Sequence, residues 1–118
     1  MSIPILYIPI QSTTVKPYIF EGDTIKEIVI ESDEFPDLTT SQIKMQVYYG
    51  NSVVLSVTND NGITVNSSTS FTIDEISSTN NPFTEGKFIG DVEIIDANDI
   101  KKTYFRVIYK IEKQYSKW

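Results

Sequence analysis

Carboxylates and hydroxyls supply nearly all of the side chains in this chain that could do chemistry. Aspartate and glutamate total 16 residues, while histidine and cysteine are both absent. Without histidine there is no ordinary general base near neutral pH and no imidazole metal ligand. Without cysteine there is no disulfide, thiolate zinc site or sulfur nucleophile. The many serines and threonines therefore have no histidine to activate them, and no lysine sits in an apolar frame that would depress its pKa. Asp33, Glu34 and Asp37 cluster as calcium ligands do, yet lack the spacing and central glycine of an EF-hand loop and read as a solvated acidic turn. Asp96, Asn98 and Asp99 invite the same idea and read more simply as a hairpin turn. Glu27 with Glu31, and Asp91 with Glu93, could form the carboxylate pair of a glycosidase only in an aromatic cleft; solvent-facing strand positions explain them better. Asn66-Ser67-Ser68 matches a glycosylation sequon, a match common by chance. The expectation is a non-enzyme with no catalytic residue, metal or cofactor. A hydrolase working on carboxylates alone is the enzyme alternative.

The elements that would position any site are strands. Period-2 alternation recurs along the chain, Ala97 is the only alanine, and β-branched and aromatic residues are plentiful. Gln42 to Tyr49 places Ile43, Met45, Val47 and Tyr49 on one face; Gly50-Asn51 turns the chain, and Ser52 to Thr58 returns with Val53, Leu55 and Val57 together. Asn59 to Gly62 turns into Ile63-Thr64-Val65, and Asn66 to Thr69 turns again into Phe71-Thr72-Ile73. Asp74 to Thr84, with Pro82, reads as a crossover loop with room for one helical turn. Gly86 to Ile95 aligns Phe88, Gly90, Val92 and Ile94; Lys102 to Glu112 returns with Thr103, Phe105, Val107, Tyr109 and Ile111 on one face. Asp23 to Glu31 is a strand of open register, because Ile28 and Ile30 oppose Ile25 and Val29.

At 118 residues with 40% hydrophobic and 22% charged side chains, the chain fits one folded domain. The expected architecture is an all-β antiparallel sandwich of about seven to nine strands. Residues 1–14 form an N-terminal arm or edge strand, 15–113 the sandwich, and 114–118 a tail. Ile3-Pro4-Ile5 recurs as Ile8-Pro9-Ile10, and the prolines exclude a central strand. The net charge of −6 disfavours nucleic acid, which needs a basic face. No run approaches the roughly 18 apolar residues of a membrane span, and the N-terminus lacks a basic leader, so neither a membrane partner nor a signal peptide is expected. Exposed tyrosines such as Tyr48 and Tyr104 suit either an interface or half-buried packing.

Several short motifs then fall in a recognisable order: Gly22-Asp23, Asp37-Leu38-Thr39, Ile43-Lys44-Met45-Gln46, Gly86-Lys87-Phe88, Asp91-Val92-Glu93 and Lys102-Thr103-Tyr104. Over residues 22–113 this resembles the immunoglobulin-like N-terminal domain of phage upper-baseplate proteins. The resemblance implies a virion structural component, made in the host cytoplasm. Its partners would be other virion proteins of the capsid, tail or baseplate, in a homo- or hetero-oligomeric assembly. A capsid-decorating role suits the size as well as a baseplate role does. The arm (Ile3, Ile5, Ile8, Ile10) and the tail (Tyr115, Trp118) are the expected contacts to neighbouring subunits. From a different class, a carbohydrate-binding module for host glycans is the alternative.

Overall fold

The computed structural model describes residues 4–8 and 19–113. These hold nine strands: β1 (Ile5–Ile8), β2 (Ile19–Phe20), β3 (Ile28–Glu31), β4 (Gln42–Tyr49), β5 (Ser52–Asn59), β6 (Gly62–Ser67), β7 (Ser70–Ile73), β8 (Gly86–Ile95) and β9 (Lys101–Glu112). One 3-10 turn, Leu38–Thr40, interrupts them; Asp37 caps it by accepting from the Thr39 N–H and hydroxyl, and those bonds hold its carboxyl below the usual carboxylate range. The protein is an all-β sandwich, as alternation in the sequence suggests.

The strands run in the order β1-β9-β8-β4-β5-β6-β7-β3, with β2 continuing beside β9. This continuous sheet folds over between β5 and β6, whose pairing is parallel and only two residue pairs long: Thr58 with Gly62, and Asn59 with Ile63. One layer is therefore β1/β2, β9, β8, β4 and β5; the other is β6, β7 and β3. The Asn59 side chain holds the corner, accepting from the Ile43 N–H at 2.6 Å and donating to the Ser41 carbonyl at 3.0 Å. Asp60, at φ 63°, and Gly62, at φ 98°, adopt the left-handed conformations that so abrupt a turn requires.

Between the layers lie Ile43, Met45 and Val47 of β4, Phe88, Val92 and Ile94 of β8, Val107, Tyr109 and Ile111 of β9, and Phe71 and Ile73 of β7, all nearly solvent-free. Phe71 stacks on Phe105 of the opposite layer at 6.4 Å and meets Phe35 at 5.7 Å, while Phe83 stacks on Tyr109 at 4.8 Å. The Tyr109 hydroxyl is buried with no hydrogen-bond partner among the described residues, and burial pushes its pKa above the ordinary tyrosine range. Tyr109→Phe is thus expected to leave stability unchanged or raise it by about 1 kcal/mol, because the desolvated hydroxyl is removed. Since the folded pKa is raised, the hydroxyl also costs stability as pH climbs above the unfolded value of 10.0. The variant should show a flatter alkaline loss in urea titrations; a loss above about 1 kcal/mol at neutral pH would overturn the account.

Four expectations are corrected. The sandwich is not purely antiparallel: β1 and β2 pair parallel to β9, and β5 to β6. The strand expected over 23–31 is only Ile28–Glu31; Ile25 sits apart in a single bridge to Ile76, which ties down the crossover loop, and the loop closes one turn where the Asn80 N–H donates to the Ser77 carbonyl at 3.0 Å. A bulge at Val54 puts Val53 opposite Tyr48, on the outer face rather than with Leu55 and Val57. A second irregularity near Tyr104 puts Thr103 opposite Glu93, away from Phe105.

Candidate functional site

Two apolar surfaces stand out among the described residues once the core is accounted for. The first crosses the outer face of the larger layer. Directly paired residues in neighbouring strands share a face. Tyr7 pairs with Ile108, Ile108 with Ile89, Ile89 with Tyr48, and Tyr48 with Val53. This is an unbroken row over five strands, with Tyr7, Ile89, Tyr48 and Val53 at 54%, 41%, 38% and 46% exposure and Ile108 covered by its neighbours. The row beside it starts at Ile5 and is polar from β9 to β5, through Arg106, Asp91, Gln46 and Ser56. There Arg106 pairs with Asp91 at 2.9 Å, a contact that raises the Arg106 pKa, and beyond it Lys101 pairs with Glu93 at 3.2 Å. Asp91 and Glu93 each face a cation across the strands while staying partly exposed. A shallow depression of about 410 Å³, lined by Tyr48, Gln46, Asp91, Glu93 and Thr103, adjoins the apolar row.

The second surface is a groove of about 430 Å³ where the two layers part, between β1 and β3. Leu6, Ile28, Ile30, Phe35, Tyr104 and Phe105 line it, with Glu31 and Glu34 at its side. Phe35 meets Tyr104 edge-on at 5.4 Å, and Lys102 lies 4.9 Å from the Tyr104 ring centre. Burial, with the negative charges of Asp96 and Glu34, raises the Tyr104 pKa.

Of the six residues expected to contact neighbours, Ile5 is 48% exposed on β1, on the same strand as Tyr7. Ile8 is 2% exposed, so its side chain serves the chain's own core, a correction. Ile3, Ile10, Tyr115 and Trp118 lie outside the described residues. The acidic loop holds its own turns: Asp37 caps the 3-10 turn, and Ser32 accepts from the Glu34 N–H. Asp96 accepts from the N–H groups of Asn98 and Ile100, as a hairpin turn requires. Among the described residues no group of three metal-ligating side chains is assembled. Ile89 was not among the residues expected at a contact, though the signal for its exposed apolar side chain was present: an isoleucine at a polar-parity position of a long strand, opposite Ile108 at the same parity.

No protein-family model and no curated protein matches the chain. Among solved structures, the crystal structure of CopC from Methylosinus trichosporium OB3b is similar at a TM-score of 0.49 and 8% identity, over 86% of this chain and 89% of that one.

Proposed function

We propose that this domain is a non-enzymatic assembly module of a phage particle, bound to other virion proteins of the tail, baseplate or capsid surface. The observation that carries the assembly reading is the row Tyr7–Ile108–Ile89–Tyr48–Val53, an apolar band on a face that an isolated sandwich would keep polar. Aromatic residues at or near its ends supply large contact area with polar tips, the composition of interface cores. The phage assignment is supported by the ordered motifs Gly22-Asp23, Asp37-Leu38-Thr39 and Ile43-Lys44-Met45-Gln46 and their resemblance to the upper-baseplate domain.

Ile89→Lys tests the reading. Ile89 is 41% exposed, so the variant should keep its stability within about 0.5 kcal/mol while its incorporation into particles falls at least about tenfold. Incorporation at the parental level would remove this face from the account. The second reading, attachment to host glycans, is favoured by the depression in which Tyr48 stands beside Gln46, Asp91 and Glu93, an aromatic platform next to hydrogen-bonding groups. A glycan array separates the two: saturable sugar binding lost in Tyr48→Ala supports glycan attachment, and an empty array supports assembly.

A further inference from the structure

We propose that the groove between β1 and β3 receives an extended segment of a partner protein, which adds as a strand to the open edge of β3, seats alternate apolar side chains in the groove and sets a basic residue against Glu31 and Glu34. The proposal rests on the assembly reading and deepens it by stating how a partner engages.

The backbone carries the first part of the argument. β3 pairs antiparallel with β7 in the register Ile28–Ile73 to Glu31–Ser70, and the Ser32 N–H donates to the Thr69 carbonyl just beyond. Antiparallel pairing alternates, so Ile28 and Ile30 exchange bonds with β7, while the N–H and C=O of Val29 and Glu31 point away from it. On the other wall, the Arg106 N–H donates to the Pro4 carbonyl, which by the same parity turns the backbone groups of Ile5 and Tyr7 outward. Nothing among the described residues pairs with the outer side of β1 or β3. An apolar floor flanked by unpaired amides and carbonyls suits an extended peptide, which satisfies the edge and fills the floor together; a small apolar ligand would leave the edge unpaired.

Charge carries the second part. Among the described residues, Glu31 and Glu34 are the only charged side chains lining the groove, and neither has an ion-pair partner. A lysine or arginine at an outward position of the incoming strand would meet both. A second copy of this domain is the poorer occupant: it also carries a net charge of −6, and β3 pairing with β3 would bring the two acidic rims together.

The test uses a synthetic seven-residue peptide alternating lysine and valine, titrated into the whole protein. Binding should slow hydrogen exchange at the Val29 and Glu31 amides at least about tenfold and leave the Ile28 and Ile30 amides, already bonded to β7, little changed. Val29→Pro removes an outward N–H while keeping the β7 bonds, and should weaken binding about tenfold. Combined Glu31→Gln and Glu34→Gln should weaken it about threefold and flatten its salt dependence. Two peptides test the same point without altering the protein, one N-methylated on its lysine amides, which face Val29 and Glu31 in antiparallel addition, and one on its valine amides, which face them in parallel addition. Parental affinity for both N-methylated peptides, or for one with glutamate in place of lysine, would overturn the proposal; so would no binding at millimolar peptide, or dimerisation of the protein through β3. The outcome is separable from the assembly reading, because Ile89→Lys acts on the other face and is scored by particle incorporation.

Discussion

Gly90→Ala is expected to destabilise the domain by about 3 kcal/mol, roughly a quarter to a half of what a domain this size has to lose. Gly90 is buried in β8 and pairs with Val47 of β4. A methyl group added there would lie 2.5 Å from the Gln46 carbonyl oxygen, 2.9 Å from a Val47 methyl and 3.1 Å from the Val47 Cα. Two of these three atoms are backbone of a central strand and cannot swing aside as a flexible side chain could. Relief requires β4 and β8 to separate locally, which lengthens ladder bonds in the middle of the larger layer. Urea unfolding should show a lower midpoint at unchanged slope. A loss under about 1 kcal/mol would mean that the two strands sit further apart than these contacts allow.

Phe71→Ala is expected to cost about 3–5 kcal/mol. Phe71 is fully buried on β7, and its ring bridges the layers by meeting Phe105 on one side and Phe35 on the other. Its removal leaves a cavity where the layers face each other and strips Phe35 of one of two aromatic neighbours, the other being Tyr104. Because, among the described residues, the ladder between the layers is only two residue pairs of β5 and β6 long, the smaller layer should loosen first, and amide exchange should quicken in β3 and β7 before β4 and β8. Val29→Ala is the matched control: Val29 is 64% exposed, so its truncation should change stability by no more than about 0.5 kcal/mol. Similar effects for the two variants would contradict the bridging role of Phe71.

The sandwich and its long strands were legible because alternation and turn chemistry agreed: β4 begins at Gln42 and ends at Tyr49, and β8 begins at Gly86 and ends at Ile95, as the pattern reads. The bulges at Val54 and near Tyr104 were not legible, since an inserted strand residue carries no side-chain signature of its own. Ile28 to Glu31 misled in length because Ile25 is also buried, yet by a single bridge to a loop rather than by a ladder. The apolar row could be read in part from Ile89 and Ile108, which break the polar parity of their strands. The groove could not, because it depends on which strands end up as edges, and that follows from the whole order rather than from any local pattern.

The parallel pairing of β1 with β9 has a mechanical consequence. These are the first and last strands described, and they lie side by side in the register Ile5–Arg106 to Ile8–Tyr109. Tension applied ahead of β1 and beyond β9 would pull the two strands along their length in opposite directions. Their ladder bonds would then be loaded in shear, all together, rather than opened one after another as in a zipper. With Ile8 seated in the core, sliding β1 also drags an apolar side chain out of its packing. A domain wired in this way resists stretching along β1 and β9 far better than its equilibrium stability alone would suggest.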